Sequence, residues 1–93
     1  MLFRSISETV AASFNIDAVV LSSKRQDKKA SIPRKIAMFL CRELTSETEQ
    51  EVGKILNRDY STVIAAIRSL VDMMDKDEAL ARRVRDLRYM LET

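Results

Sequence analysis

Leu56-Asn57-Arg58-Asp59-Tyr60-Ser61-Thr62-Val63, residues 56–63, decides how this chain is read. Short polar side chains crowd the start of what continues as an apolar helix. Asp59 suits an N-cap, because its carboxylate can accept from the free N–H groups of a first helical turn and favours the positive end of the helix dipole. Ser61 and Thr62 then project from an exposed helix terminus. A helix entering the major groove contacts base edges with its N-terminal residues, and hydroxyls and backbone N–H groups there also suit phosphates. Taken alone, the same residues are better described as an ordinary capped helix with no ligand; it is their surroundings that favour a ligand.

Upstream, Thr48 to Glu51 forms a possible capping box, opening a short helix that runs to Leu56. Gly53 lies inside it. A glycine in a helix interior costs about 1 kcal/mol relative to alanine, so its presence predicts another helix close to the backbone there. Downstream, Val63, Ile67, Leu70 and Met74 share one face of a helix starting near Asp59, with Val71 widening the apolar side. Ser61, Ala65, Arg68, Ser69 and Asp72 face away. Two helices joined by a few residues around Asn57 predict a helix-turn-helix.

Ile6, Val10 and Phe14 place a first amphipathic helix from about Ser5 or Ser7 to Phe14, which Asn15 ends. A short apolar helix over Ile16 to Leu21 is expected next. Residues 22–31 show no apolar periodicity and read as a loop, with Pro33 in the first turn of the following helix. There Ile36, Ala37, Leu40, Cys41 and Leu44 share one side, Phe39 sits at its margin, and Arg34, Lys35 and Arg42 form a cationic stripe opposite. Past Asp75-Lys76-Asp77, a last helix aligns Leu80, Val84, Leu87 and Leu91.

The 93 residues, with a single glycine and a single proline, predict one all-α domain spanning residues 1–93. No apolar run approaches the ~20 residues of a membrane span, and Glu8 interrupts the apolar stretch a signal peptide would need. The lone Cys41 cannot form an internal disulfide, which makes a cytoplasmic location the expectation. One glycine cannot build a phosphate-cradling loop, so no Walker A or dinucleotide motif is present. Without histidine, and with one cysteine, neither a zinc cluster nor a His-dependent triad can be assembled. Glu47, Glu49 and Glu51, at alternate positions, read as solvated surface rather than an acid–base pair. The chain is expected not to be an enzyme, and to bind no metal or cofactor of its own.

A net charge of +2 hides an uneven distribution. Between Lys24 and Arg42, seven basic residues (Lys24, Arg25, Lys28, Lys29, Arg34, Lys35, Arg42) face only Asp27. Such clustering beside an exposed helix start is the electrostatic footprint of a phosphate-backbone binder. Duplex DNA is favoured over RNA, because the stacking aromatics of a single-strand platform are lacking.

The series Ser23-Lys24-Arg25, Ile32-Pro33-Arg34-Lys35-Ile36-Ala37-Met38-Phe39-Leu40, Arg42-Glu43-Leu44-Thr45, Glu51-Val52-Gly53 and Arg58-Asp59-Tyr60-Ser61-Thr62-Val63 resembles the C-terminal DNA-binding domain of the bacterial replication initiator DnaA. The resemblance covers nearly the whole chain. It implies a TrpR-like bundle of about six helices that binds double-stranded origin boxes through its helix-turn-helix. It further implies base contacts from Asp59, Tyr60 and Ser61 in the major groove, with Gln50 nearby, and from Gln26 or Arg25 in the minor groove. Phosphate contacts are implied for Lys24, Lys28, Arg34, Lys35, Arg42, Arg58 and Thr62. ATP would enter only through an AAA+ motor domain attached elsewhere, and such a motor or other replication proteins are the implied partners.

Several positions depart from the family pattern. Tyr60 replaces the usual histidine, and helical turning leaves it between packing against Val63 and Ile67 and contacting a base. Gln26 stands at the minor-groove arginine, with Arg25 one residue earlier. Glu49 and Gln50 replace a common Leu-Pro, and the turn before Arg58 is one residue shorter than the familiar Gly-Gly form. Two further readings stay open: a freestanding DNA-binding regulator or mobile-element protein that keeps only this domain, and a helical protein-interaction module.

Overall fold

The computed structural model describes residues 3–23 and 28–92. Among them are six helices and no strand: α1 (Phe3–Ser13), α2 (Val19–Ser22), α3 (Lys28–Leu44), α4 (Glu49–Leu56), α5 (Tyr60–Lys76) and α6 (Glu78–Glu92). The expected all-α, six-helix fold is thus present. Helices α3 and α5 make the most extensive contact; α1 and α2 pack on α3, α4 packs on α5, and α6 closes the bundle against α1, α3 and α5.

One core joins all of them. Ile6 and Val10 from α1, Leu21 from α2, Ile36 and Leu40 from α3, Val52 and Leu56 from α4, and Val63 and Leu70 from α5 are completely buried. Val84 and Leu87 complete it from α6. Each such side chain contributes about 1.5–3 kcal/mol of burial, so the bundle rests on the periodic apolar faces legible in the sequence. The Cys41 thiol lies in this core, where burial pushes its pKa up.

The connections after α1 and after α4 share one device. Asn15 and Asn57 both adopt the left-handed conformation, at φ 60° and 58°. After α4, the Arg58 N–H donates to Gly53 O (2.7 Å) and the Asn57 N–H to Lys54 O (3.3 Å); after α1, Ile16 and Asn15 bond Ala11 and Ala12 in the same pattern. These are Schellman closures with asparagine in the usual glycine position.

Some expectations are corrected. Helix α3 starts at Lys28, so residues 28–31 are helical rather than loop, and Pro33 falls in the second turn. Burial of Ala30 and of Pro33 itself outweighs the lost rung of the ladder. The short helix near Ile16 begins only at Val19, where Asp17 Oδ1 accepts from the Val19 N–H (3.0 Å). Phe14 lies just past α1, its ring covered by the Arg83 guanidinium at 3.9 Å. Only Asp77 separates α5 from α6, and Val71 is about half exposed rather than part of the core.

Candidate nucleic-acid interface

The helix-turn-helix is built by Thr48, Gly53 and Asn57. The Thr48 hydroxyl accepts from the Glu51 N–H (3.2 Å) while Glu51 Oε1 accepts from the Thr48 N–H (3.1 Å), the reciprocal capping box the sequence indicated. At Gly53 the close neighbour is chiefly the turn itself. A Cβ there would lie 2.6 Å from the Arg58 carbonyl oxygen and 3.5 Å from Val63 Cγ2. The glycine therefore admits the backbone of the turn, with α5 at ordinary contact distance behind it.

Helix α5 begins differently. Asp59 occupies the N-cap position with extended backbone, yet its side chain makes no cap hydrogen bond, contrary to the expected role. By contrast, Asp77 Oδ1 accepts from the Leu80 N–H (3.1 Å) at the start of α6. Asp59, Tyr60, Ser61 and Thr62 all point to solvent, and Tyr60 is 51% exposed, which places it on the surface rather than against the core. First-turn N–H groups have no intrahelical acceptors. The start of α5 thus presents donors, two hydroxyls, a phenol and a carboxylate on one exposed end.

The expected cationic stripe on α3 is half-buried and engaged with the protein. Arg34 donates from Nε to Leu21 O (2.8 Å) and from Nη2 to Val20 O (2.9 Å). Lys35 Nζ donates to Ser69 Oγ (3.1 Å), which also turns Ser69 inward instead of away. Arg42 donates to Glu47 O (2.7 Å) and pairs with Glu49 Oε1 at 2.8 Å. Arg58, also half-buried, donates to Leu56 O, Asn57 O and Ser23 O. Lys28, in the first turn of α3, and Gln50, in the first turn of α4, are exposed. Lys24, Arg25 and Gln26 lie outside the described residues.

Residues 3–70 match the family model described as the bacterial dnaA protein helix-turn-helix. The chain belongs to this DnaA family. A chromosomal replication initiator protein DnaA from Gluconobacter oxydans is 39% identical over 88 residues, covering 94% of this chain and 18% of that protein. The DnaA of a Geobacter species is 36% identical over 89 residues, covering 95% of this chain and 19% of its own length. The chain therefore spans about a fifth of these curated relatives. A crystal structure of a DNA replication initiation factor superposes with a TM-score of 0.83 at 31% identity, over 95% of this chain and 27% of that one. The fold is that of the DnaA helix-turn-helix domain.

The structure brings the DnaA-like segment Asp59 to Thr62 to one exposed helix end, with Arg58 behind it and the end of α2 beside Arg58. It keeps Arg42 occupied by Glu49 rather than leaving both charges open. That pairing was missed in the sequence, where Glu49 read as solvated surface; the signal available was a carboxylate and a guanidinium flanking the same short bend. Exposed Lys54, in the last turn of α4, was likewise not singled out. Among the described residues no helix is long and apolar enough to cross a membrane, and no cluster of metal-ligating side chains is present.

Proposed function

We propose that this chain is the DNA-binding part of a replication initiator, and that it recognises box sequences in double-stranded DNA with the start of α5 in the major groove. The observation carrying this reading is the open first turn of α5: exposed Asp59, Tyr60, Ser61 and Thr62 with no side chain folded back to cap it. Short donors and acceptors at a helix start match base edges and phosphates at once.

Asp59, Tyr60 and Ser61 are the base readers in this reading, with Gln50 at the groove edge. Thr62, Lys28 and Lys35 approach phosphates. Lys24, Arg25 and Gln26 contribute from the segment between α2 and α3. Residues 1–93 act as one binding domain in the cytoplasm, and any ATP-driven motor belongs to other residues of a longer protein.

Selection of bound duplexes from a random library, followed by anisotropy titration of the selected and a scrambled duplex, tests the reading. The selected duplex binds more tightly, and log affinity falls linearly with log salt at roughly 0.9 per phosphate neutralised. Ser61→Ala narrows the preference between duplexes, whereas Lys28→Ala weakens both alike. Equal affinity for selected and scrambled duplexes at every salt concentration would refute box recognition.

A further inference from the structure

Helix α2 is four residues long; its Ser23 cap N–H donates to Val20 O (3.3 Å), and its end draws further donors from elsewhere in the fold. Two arginines supply them. Arg34 takes Val20 O and Leu21 O from the α3 side. Arg58 takes Ser23 O, and its other terminal nitrogen donates to Leu56 O (3.3 Å) and Asn57 O (3.0 Å) in the turn. One guanidinium thereby spans from the end of α2 to the turn of the helix-turn-helix. A planar fork of donors can do this, while a lysine, with its donors on a single nitrogen, cannot reach the same set.

We infer that Arg58 is a positioning residue of the DNA-binding surface, fixing the first turn of α5 relative to α2 and α3 instead of neutralising a phosphate. The inference rests on the proposed function. Arg58 directly precedes Asp59, so any slack in the bridge reaches the base-reading end through one residue. Base readout requires placement within roughly 0.5 Å, whereas attraction to phosphates depends on charge count and tolerates displacement. Loss of the bridge therefore erodes preference between sequences before it erodes general affinity.

The test compares the wild-type chain with Arg58→Lys and Arg58→Ala, on the duplex selected by the wild type and on its scrambled counterpart, across about 50 to 200 mM salt. Both variants are expected to bind the selected duplex roughly tenfold more weakly, the equivalent of one charge-assisted hydrogen bond. Their affinity for the scrambled duplex and its salt slope should stay at the wild-type values. Wild-type affinity for the selected duplex in Arg58→Lys overturns the inference, since a point charge then suffices. A salt slope on the scrambled duplex flattened by about 0.9 in Arg58→Ala overturns it also, because that marks a lost phosphate contact. Collapse of helical circular dichroism in both variants makes Arg58 a requirement of the whole fold and equally overturns a role in positioning. If the wild type itself fails to distinguish the duplexes, the DNA-box reading falls first; if it distinguishes them and both variants match it, only the role of Arg58 falls.

Discussion

Helices α4 and α5 are joined by one tight turn, yet their first turns are chemical opposites. The start of α4 is closed: Thr48 and Glu51 cap each other, Glu49 is paired with Arg42, and Arg42 also holds the Glu47 carbonyl. Carboxylates complement the positive end of that helix and leave little for an outside anion. The start of α5 is open, with no acidic residue in its first turn and no cap bond from Asp59. The same local signature, a good N-cap residue before an apolar helix, thus serves stability in one helix and exposure in the next.

The change expected to break the contrast most severely is Gly53→Ala. Its Cβ would lie 2.6 Å from the Arg58 carbonyl, a backbone atom, so the turn itself must move. Alanine ordinarily favours a helix by about 1 kcal/mol, but overpacking of this kind costs about 1–3 kcal/mol. The net result is destabilisation in chemical unfolding, together with weaker preference for the selected duplex because α5 shifts. An unchanged or raised unfolding midpoint would mean that the turn gives way freely. Next in size is Thr48→Ala, which removes the cap acceptor for the Glu51 N–H and costs about 1 kcal/mol. Its salt slope on DNA should remain that of the wild type; a changed slope would show that the closed terminus also meets phosphate.

Glu49→Gln probes the contrast through DNA rather than stability. The Arg42–Glu49 pair is about one-third exposed on both sides, so its loss costs less than about 1 kcal/mol of folding free energy. Freed Arg42 should strengthen binding to any duplex at low salt and steepen the slope by up to about 0.9. Identical titrations for the two proteins would set the first turn of α4 away from the phosphate backbone.

These differences bear on what a sequence can disclose. The capping box and the small residue at Gly53 were legible because each acts within a few residues of chain, whereas the left-handed conformation of Asn57 emerged only in the structure. The apolar faces were legible because burial follows helical period. The start of α3 was not, since Ala30 and Pro33 are drawn into helix by packing that propensity does not record. Nor were the partners of Arg34 and Arg58, which answer carbonyls at the end of a helix 13 and 35 residues away. Exposure of Ser61 and Thr62 could be read from their place in a first turn. Whether Asp59 folds back or faces outward could not, because both conformations satisfy the same preference for aspartate before a helix.

The smallest expected effect is a pH dependence confined to the closed terminus. Glu51 is held below the ordinary glutamate value, first by a hydrogen bond with the Glu47 carboxyl and then by the Thr48 N–H and hydroxyl. Glu47 is raised, chiefly by that same bond to Glu51 and next by its charge. A lowered carboxylate contributes stability above its unfolded pKa that is lost as pH falls through the folded value; a raised one contributes stability below its unfolded pKa that is lost as pH rises through the folded value. The two contributions overlap between the lowered Glu51 value and the raised Glu47 value, an interval that brackets the ordinary glutamate pKa. The first turn of α4 is therefore firmest in that mildly acid interval, and Glu51→Gln should remove the local maximum from a plot of unfolding midpoint against pH. Both carboxylates lie at the surface, Glu51 exposed and Glu47 partly so, and the difference is therefore small and falls further with added salt. Parallel pH profiles for the wild type and Glu51→Gln would leave the Thr48 bonds as the whole of the cap.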